Sequence, residues 1–355
     1  MRFPPSLRIL ALVAAPALAQ RPPSQQPQTA PHVQVLFDTT QAAVALDIIE
    51  WKKAGNAMKD EDWRPLYISD GYRRLRIREA EGPRAVTDSA FKAFLVSDSL
   101  GKRAVALRTV FERWKTRGVK GAVARAVAYL PADARLTASV YIAIKPHTNT
   151  FVYDIEKDPA IFVYLNPLES AEQFENVVAH ELHHIGFTTL GARMTAMVQS
   201  LPDSVLPAAE WSRAFGEGFA MLAAAGGPDI NAHATSPAAH RARWNAAVGN
   251  FNRDLRLIED FFVGIITKRL RTPEDIGNGG TSFYGAEGPW YTVGWKVAAT
   301  IEKQFGRKEV VECMIDPHRM LDRFNAAATI YNKANPAAKL ALWSPALVEA
   351  FKRPR

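Results

Sequence analysis

Residues 170–187 read SAEQFENVVAHELHHIGF. Ser170 and Gln173 stand three residues apart, as a capping box requires. Phe174, Val177, Val178 and Ile185 then supply an apolar face as far as Gly186. The stretch therefore predicts a partly buried helix over 170–187. Within it His180, Glu181 and His184 form HExxH. At about 100° per residue, His180 and His184 lie about 40° apart on one face, so both imidazoles can reach one ion. Glu181 is offset from that pair and suits a general base beside the ion better than a ligand. His183 is turned about 100° from His184 and is expected to pack or hydrogen-bond behind the site. The bland alternative is a structural cluster of satisfied, buried histidines.

Outward from this helix, the upstream sequence is β-prone. Ser139–Ile144, Phe151–Asp154 and Ile161–Leu165 are short strand-like runs ended by Lys145-Pro146 or Asn166-Pro167. Val33–Phe37 is a further candidate strand. From Thr40 to about Leu130 the apolar spacing is mostly helical. Downstream, helices are expected over about Met194–Ser200, Pro207–Ala225, Pro237–Arg269 and Trp290–Phe305, with a Gly-rich loop from Thr272 to Pro289. The fold class is mainly α with a small β-sheet (α+β). The 170–187 helix should pack on the sheet, with a helical C-terminal lobe. The chain divides into a helical N-terminal lobe at 33–135 and a catalytic region at 136–355.

A catalytic zinc takes three protein ligands and leaves a fourth position open. The third ligand should come from a helix packed against the first. Phe215-Gly216-Glu217-Gly218-Phe219-Ala220 fits best: an acid between two glycines in an apolar helix, where small residues would let the two helices close around the ion. Glu210 is the runner-up, about 10 Å away along the same helix.

HExxH followed by a glutamate on a second helix resembles the gluzincin group of zincin metallopeptidases. More narrowly, the chain is similar to a bacterial family of proposed zinc-dependent peptidases. There HELHHIGF precedes E-G-x-A and then Y-x-x-G-x-x-x-A. Here these are residues 180–187, Glu217-Gly218-Phe219-Ala220, and Tyr291-Thr292-Val293-Gly294-Trp295-Lys296-Val297-Ala298. The likeness spans about Ala138 to Phe305. Two departures stand out. Glu217 lies 33 positions after His184, a longer gap than in the best-known gluzincins. Met221 stands where thermolysin-type enzymes carry a further acid. The resemblance implies a zincin-like fold with one Zn2+ per chain on His180, His184 and Glu217, Glu181 as base, and a peptide or protein substrate. It also implies a Tyr or His donor for the oxyanion. Tyr291 is the first choice, with Tyr284, His233 and His240 behind it. The substrate would lie along an exposed strand, either 151–153 or 161–164. Other divalent ions suit the same ligands. A non-peptide amide as substrate, or a non-catalytic helical envelope scaffold, are the competing readings.

The N-terminus carries Arg2 and Arg8, a short apolar run from Ile9 to Ala15, and Ala17-Leu18-Ala19. This reads as a signal peptide at 1–19, cleaved after Ala19. The Pro- and Gln-rich stretch at 20–32 reads as a disordered linker. The expected location is secreted or periplasmic, with no stable membrane insertion after signal removal. Loss of the two arginines lowers the formal charge from +8 to +6. Cys313 is the single cysteine, which excludes an internal disulfide and a thiolate metal site. Arg73, Arg74, Arg76 and Arg78 form a basic run, but a solvated helix face explains it better than a nucleic-acid partner. The sequence leaves the oligomeric state open.

Overall fold

The computed structural model describes residues 31–80, 85–285, 287–337 and 339–353. The signal peptide read at 1–19, and the linker up to residue 30, lie outside them. Of these described residues 63% are helical, and they include one four-stranded sheet.

The sheet is built from β1 (His32–Asp38), β2 (Arg135–Ala143), β3 (Phe151–Tyr153) and β4 (Ala160–Tyr164), in the order β1-β2-β4-β3. β1 and β4 flank β2 in parallel, and β3 runs antiparallel on the outer side of β4. Val33–Phe37 is thus a full member of the sheet, so sheet and core draw on both stretches of chain divided at residue 135 above. β2 buries residues of both parities, Val140 and Ile142 as well as Tyr141 and Ala143. A strand covered on both faces reads as a continuous apolar run.

Two helical layers provide that cover. Between β1 and β2 the chain forms α1 (Thr40–Lys53), α2 (Arg64–Ile68), α3 (Asp70–Glu79), α4 (Asp88–Leu95), α5 (Asp98–Arg117) and α6 (Lys120–Val127). After β4 comes α7 (Ala171–Thr188). On one face Phe37, beside Val140 in the register, meets Phe174 of α7 at 6.0 Å. On the other, Tyr141, Phe162 and Phe151 stack across three strands, and α3 lies over them. Gly71 of α3 faces the Tyr141 ring so closely that a Cβ would come within 2.9 Å of it. The arginines of α3 are engaged locally. Arg73 pairs with Asp70, Arg74 with Asp158 and Arg76 with Asp88, while Arg78 lies over the Phe151 ring.

The rest of the chain is a helical lobe: α8 (Gly191–Gln199), α9 (Leu206–Ser212), α10 (Gly216–Ala225), α11 (Ala238–Gly249), α12 (Phe251–Ile266), α13 (Pro273–Thr281), α14 (Pro289–Phe305), α15 (Arg307–Cys313), α16 (Pro317–Ala334) and α17 (Pro345–Ala350). Three expectations are corrected here. The helix expected over 207–225 is split by a 3-10 turn at Arg213–Phe215, next to glycines that weaken a continuous helix. The helix expected over 237–269 breaks at Asn250. The Gly-rich 272–289 loop contains α13. There Thr272 accepts the Asp275 N–H, Pro273 occupies the first turn and two acids follow. These start signals outweigh the glycines. Gly280 is needed in any case, because a Cβ there would strike the Trp211 ring at 2.4 Å.

One apolar core surrounds the sheet and α1–α7, and a second fills the C-terminal lobe. α7 and α10 contribute to the seam between them. Val178, Leu182 and Ile185 of α7 join the first core, and Phe187 packs on the second. α10 gives Ala224 to the first and Phe219 and Leu222 to the second. No helix among the described residues is long and apolar enough to cross a membrane.

Candidate metal centre

α7 begins as its sequence predicts. The Ser170 hydroxyl accepts the Gln173 N–H, and the Gln173 side chain accepts the Ser170 N–H. Glu175 anchors the first turns by pairing with Arg117 and Arg125 from the preceding helices. These contacts fix the rotation of α7, and with it the direction in which His180 and His184 point.

Glu217 arrives from the first turn of α10. Its Oε2 lies 3.1 Å from His184 Nε2 and 3.3 Å from His180 Nε2, and the two Nε2 atoms are 3.0 Å apart. Three lone-pair-bearing atoms thus form a nearly equilateral triangle. Mutual hydrogen bonds cannot satisfy it, since a single Nε2–H on His184 cannot point at two neighbours at once. An ion held tetrahedrally at about 2.0–2.2 Å separates its ligand atoms by roughly 3.3 Å, which matches these edges. Among the described residues, this is the one cluster of three or more His, Cys, Asp or Glu side chains able to converge on an ion.

The electrostatics agree with the geometry. Burial disfavours the Glu217 carboxylate, but its contacts with both histidines outweigh this and hold its pKa well below the ordinary range. Burial likewise disfavours a charged His184, but the hydrogen bond and charge of Glu217 raise its pKa. His183 faces away from the cluster. It is fully buried, its ring stacks on Phe187 at 6.2 Å, and burial pushes its pKa down to about 3. It is therefore a neutral packing residue at physiological pH.

Glu181 follows His180 on α7 and is half-buried. Its charge is the weakest of the influences that raise the pKa values of His184 and of Tyr291. Tyr291 lies in the first turn of α14, with its ring 6.5 Å from that of His180 and nearly parallel to it. Burial, then the neighbouring Glu217, raise the pKa of its hydroxyl, which stays protonated. Tyr284 also faces Glu217 and lines a cavity beside it. The other candidates stand elsewhere. His233 bonds Ser236 and packs on Trp244, and His240 is exposed in the first turn of α11. Glu210 sits on α9, paired with Arg213 at 3.1 Å.

The glycines around Glu217 work differently from the sequence-based expectation. Gly218 does not admit α7. It admits α14: a Cβ on Gly218 would lie 2.1 Å from the Trp295 nitrogen and 2.5 Å from Gly294 Cα. Gly294 in turn could not carry a Cβ without meeting the Phe215 carbonyl at 2.9 Å. The E-G-x-A and Y-x-x-G segments are thus two halves of one helix crossing, which brings Glu217 and Tyr291 to the same site. Sequence reasoning missed the cavity flanking the triad, where Phe187, Trp211 and Arg213 join Glu210 and Tyr284. Its one visible signal was the concentration of aromatic and charged residues around 210–215.

Residues 79–333, more than half of the chain, match the model of a family described as "Putative zinc dependent peptidase (DUF5700)". No curated protein and no solved structure matches the chain.

Proposed function

Since the chain belongs to the family so described, we propose that it is an exported, single-zinc peptidase of gluzincin type. In this reading His180, His184 and Glu217 hold the metal. The observation that carries it is the convergence of two imidazole nitrogens and one carboxylate oxygen, 3.0 to 3.3 Å apart, from two separate helices.

A zinc ion in that position supplies Lewis acidity, which lowers the pKa of water to about 7 and polarises a carbonyl. Glu181 accepts the proton of the attacking water and passes it to the leaving amine. The Tyr291 hydroxyl donates a hydrogen bond to the oxyanion as it develops. β3 is the edge strand beside β4, so its outer backbone groups are free to pair with an extended substrate. β4 is interior and is not available for this. Export follows from the signal-like N-terminus, and a periplasmic or extracellular location is part of the proposal.

The test is metal analysis of the purified chain with peptide cleavage measured alongside. One zinc per chain is expected, and its loss in His180→Ala and in Glu217→Gln. Glu181→Gln should retain zinc while hydrolysis falls by about 10²–10⁴-fold, the range for loss of a general base. Full activity in Glu181→Gln would remove it as the base, and undiminished zinc in Glu217→Gln would remove it as a ligand.

A further inference from the structure

The cavity beside the triad has the attributes of a side-chain recognition pocket. Its volume is about 410 Å³, within the range of about 300–1,000 Å³ usual for small-molecule sites. His184 and Glu217 form part of its lining, so it opens directly onto the proposed metal position. Phe187, Trp211 and Tyr284 give it an aromatic wall.

That wall is held from behind. Trp211 lies parallel to Trp290 at 6.4 Å and edge-on to Phe261 at 5.9 Å. The bare face of Gly280 seats its ring, and the Gly280 carbonyl accepts the Trp290 indole N–H. Phe187 is braced by His183 and faces Gly216, where no side chain intrudes. The pocket is therefore preformed.

Away from the triad, two further charges line it, Glu210 and Arg213. They pair with each other at 3.1 Å while remaining well exposed. Such a pair adds little stability. Its effect on a substrate is larger: the two charges cancel each other, so the pair adds no net charge beside the aromatic wall.

We propose that this cavity receives the substrate side chain adjoining the scissile bond, that it selects aromatic side chains, and that the Glu210–Arg213 pair excludes charged ones. This rests on the peptidase reading above and names the substrate class of that site. Removing either partner of the pair leaves the other charge uncompensated beside the substrate.

The test uses the full zinc-loaded chain and a mixed peptide library. The wild type should cut beside Phe, Tyr or Trp at one subsite. Glu210→Gln should raise relative kcat/KM for Asp or Glu at that subsite, and Arg213→Gln for Lys or Arg, each by about tenfold, a shift typical of one pocket contact. Gly280→Ala should drive Trp211 into the cavity and reduce the aromatic preference. Cleavage whose profile is the same in wild type and all three variants would overturn the proposal. A separate arm measures binding of four peptides, carrying Phe, Ala, Glu or Lys at that position, to Glu181→Gln protein with and without either charge substitution. If the wild type cuts no peptide, but the Phe peptide binds tighter and the charge variants shift binding as above, the pocket stands and the peptidase reading fails. Absence of any preference in both arms overturns the pocket as well.

Discussion

Replacing Gly218 by alanine tests how the site is assembled. The new methyl would lie 2.1 Å from the Trp295 nitrogen, 2.2 Å from the Gly294 carbonyl carbon and 2.5 Å from Gly294 Cα. All three are backbone atoms of α14, so no rotamer change can relieve the clash. Ordinary contact begins at 3.4 Å, so α10 and α14 must part by about 1.3 Å along that contact. Overpacking of this kind costs about 1–3 kcal/mol. In a chain of this size that lowers the melting temperature by roughly 1–4 °C. Glu217 is the preceding residue and moves with α10, so zinc affinity should fall by about 10–100-fold, as when a metal site loses its supporting contacts. Gly216→Ala is the matched control. Its methyl meets a single neighbour, Phe187 Cε1 at 3.7 Å, an ordinary contact. That variant should be unchanged or more stable by up to about 1 kcal/mol from helix propensity. Thermal unfolding followed by circular dichroism, with zinc titration against a competing chelator, measures both effects. If Gly218→Ala melts and binds zinc like Gly216→Ala, the helix crossing does not position the ligand.

Further outcomes follow from other parts of the structure. Tyr291→Phe should keep its zinc and lose about 10²–10³-fold in kcat, as when one oxyanion donor is removed; an unchanged kcat in steady-state assays would assign the oxyanion to another group. Burial lowers the pKa of Lys145 to about 8, with Glu79 only partly offsetting it. Between pH 8 and the ordinary lysine value the folded chain then binds fewer protons than the unfolded chain, so stability rises with pH across that window. Urea unfolding at pH 8 and pH 9.5 should show the wild type gaining about 1–2 kcal/mol more than Lys145→Met, and equal gains would rule this out. Cys313 is buried, and burial raises its thiol pKa. It should resist thiol reagents in the native protein and react once per chain after denaturation; fast native labelling would place it at the surface.

The residues that the sequence made most legible act through local geometry. The spacing of His180 and His184, and the Ser170–Gln173 box, depend on helical periodicity alone, and the structure reproduces both. Glu217 could be picked out because an acid between glycines in an apolar helix is chemically odd. What the oddity meant was partly hidden: Gly218 answers to Gly294, 76 positions away, and no local pattern reports a crossing of that kind. The same limit applies to α13. Its glycines suggested a loop, whereas the Thr272 cap and the demand of Trp211 and Phe261 for bare backbone determine the outcome. β1 was visible as a strand, but its parallel partner is about 100 residues downstream. The pocket was illegible for a related reason. Phe187 and Tyr284 become its walls only after α7 and the chain between α13 and α14 meet.

The place of β1 bears on how the chain is made. Synthesis proceeds from the N-terminus at about 5–20 residues per second. Val33–Phe37 therefore leaves the ribosome several seconds before residues 135–141, the segment it must pair with. During that interval a strand with Val33, Val35, Leu36 and Phe37 has no sheet to join, and both its edges are open to other nascent chains. Helices α1 to α6 can form meanwhile from local contacts, yet the layer they cover does not exist until β2 emerges. The topology thus leaves this first strand unpaired until the helices between it and its partner have all been made.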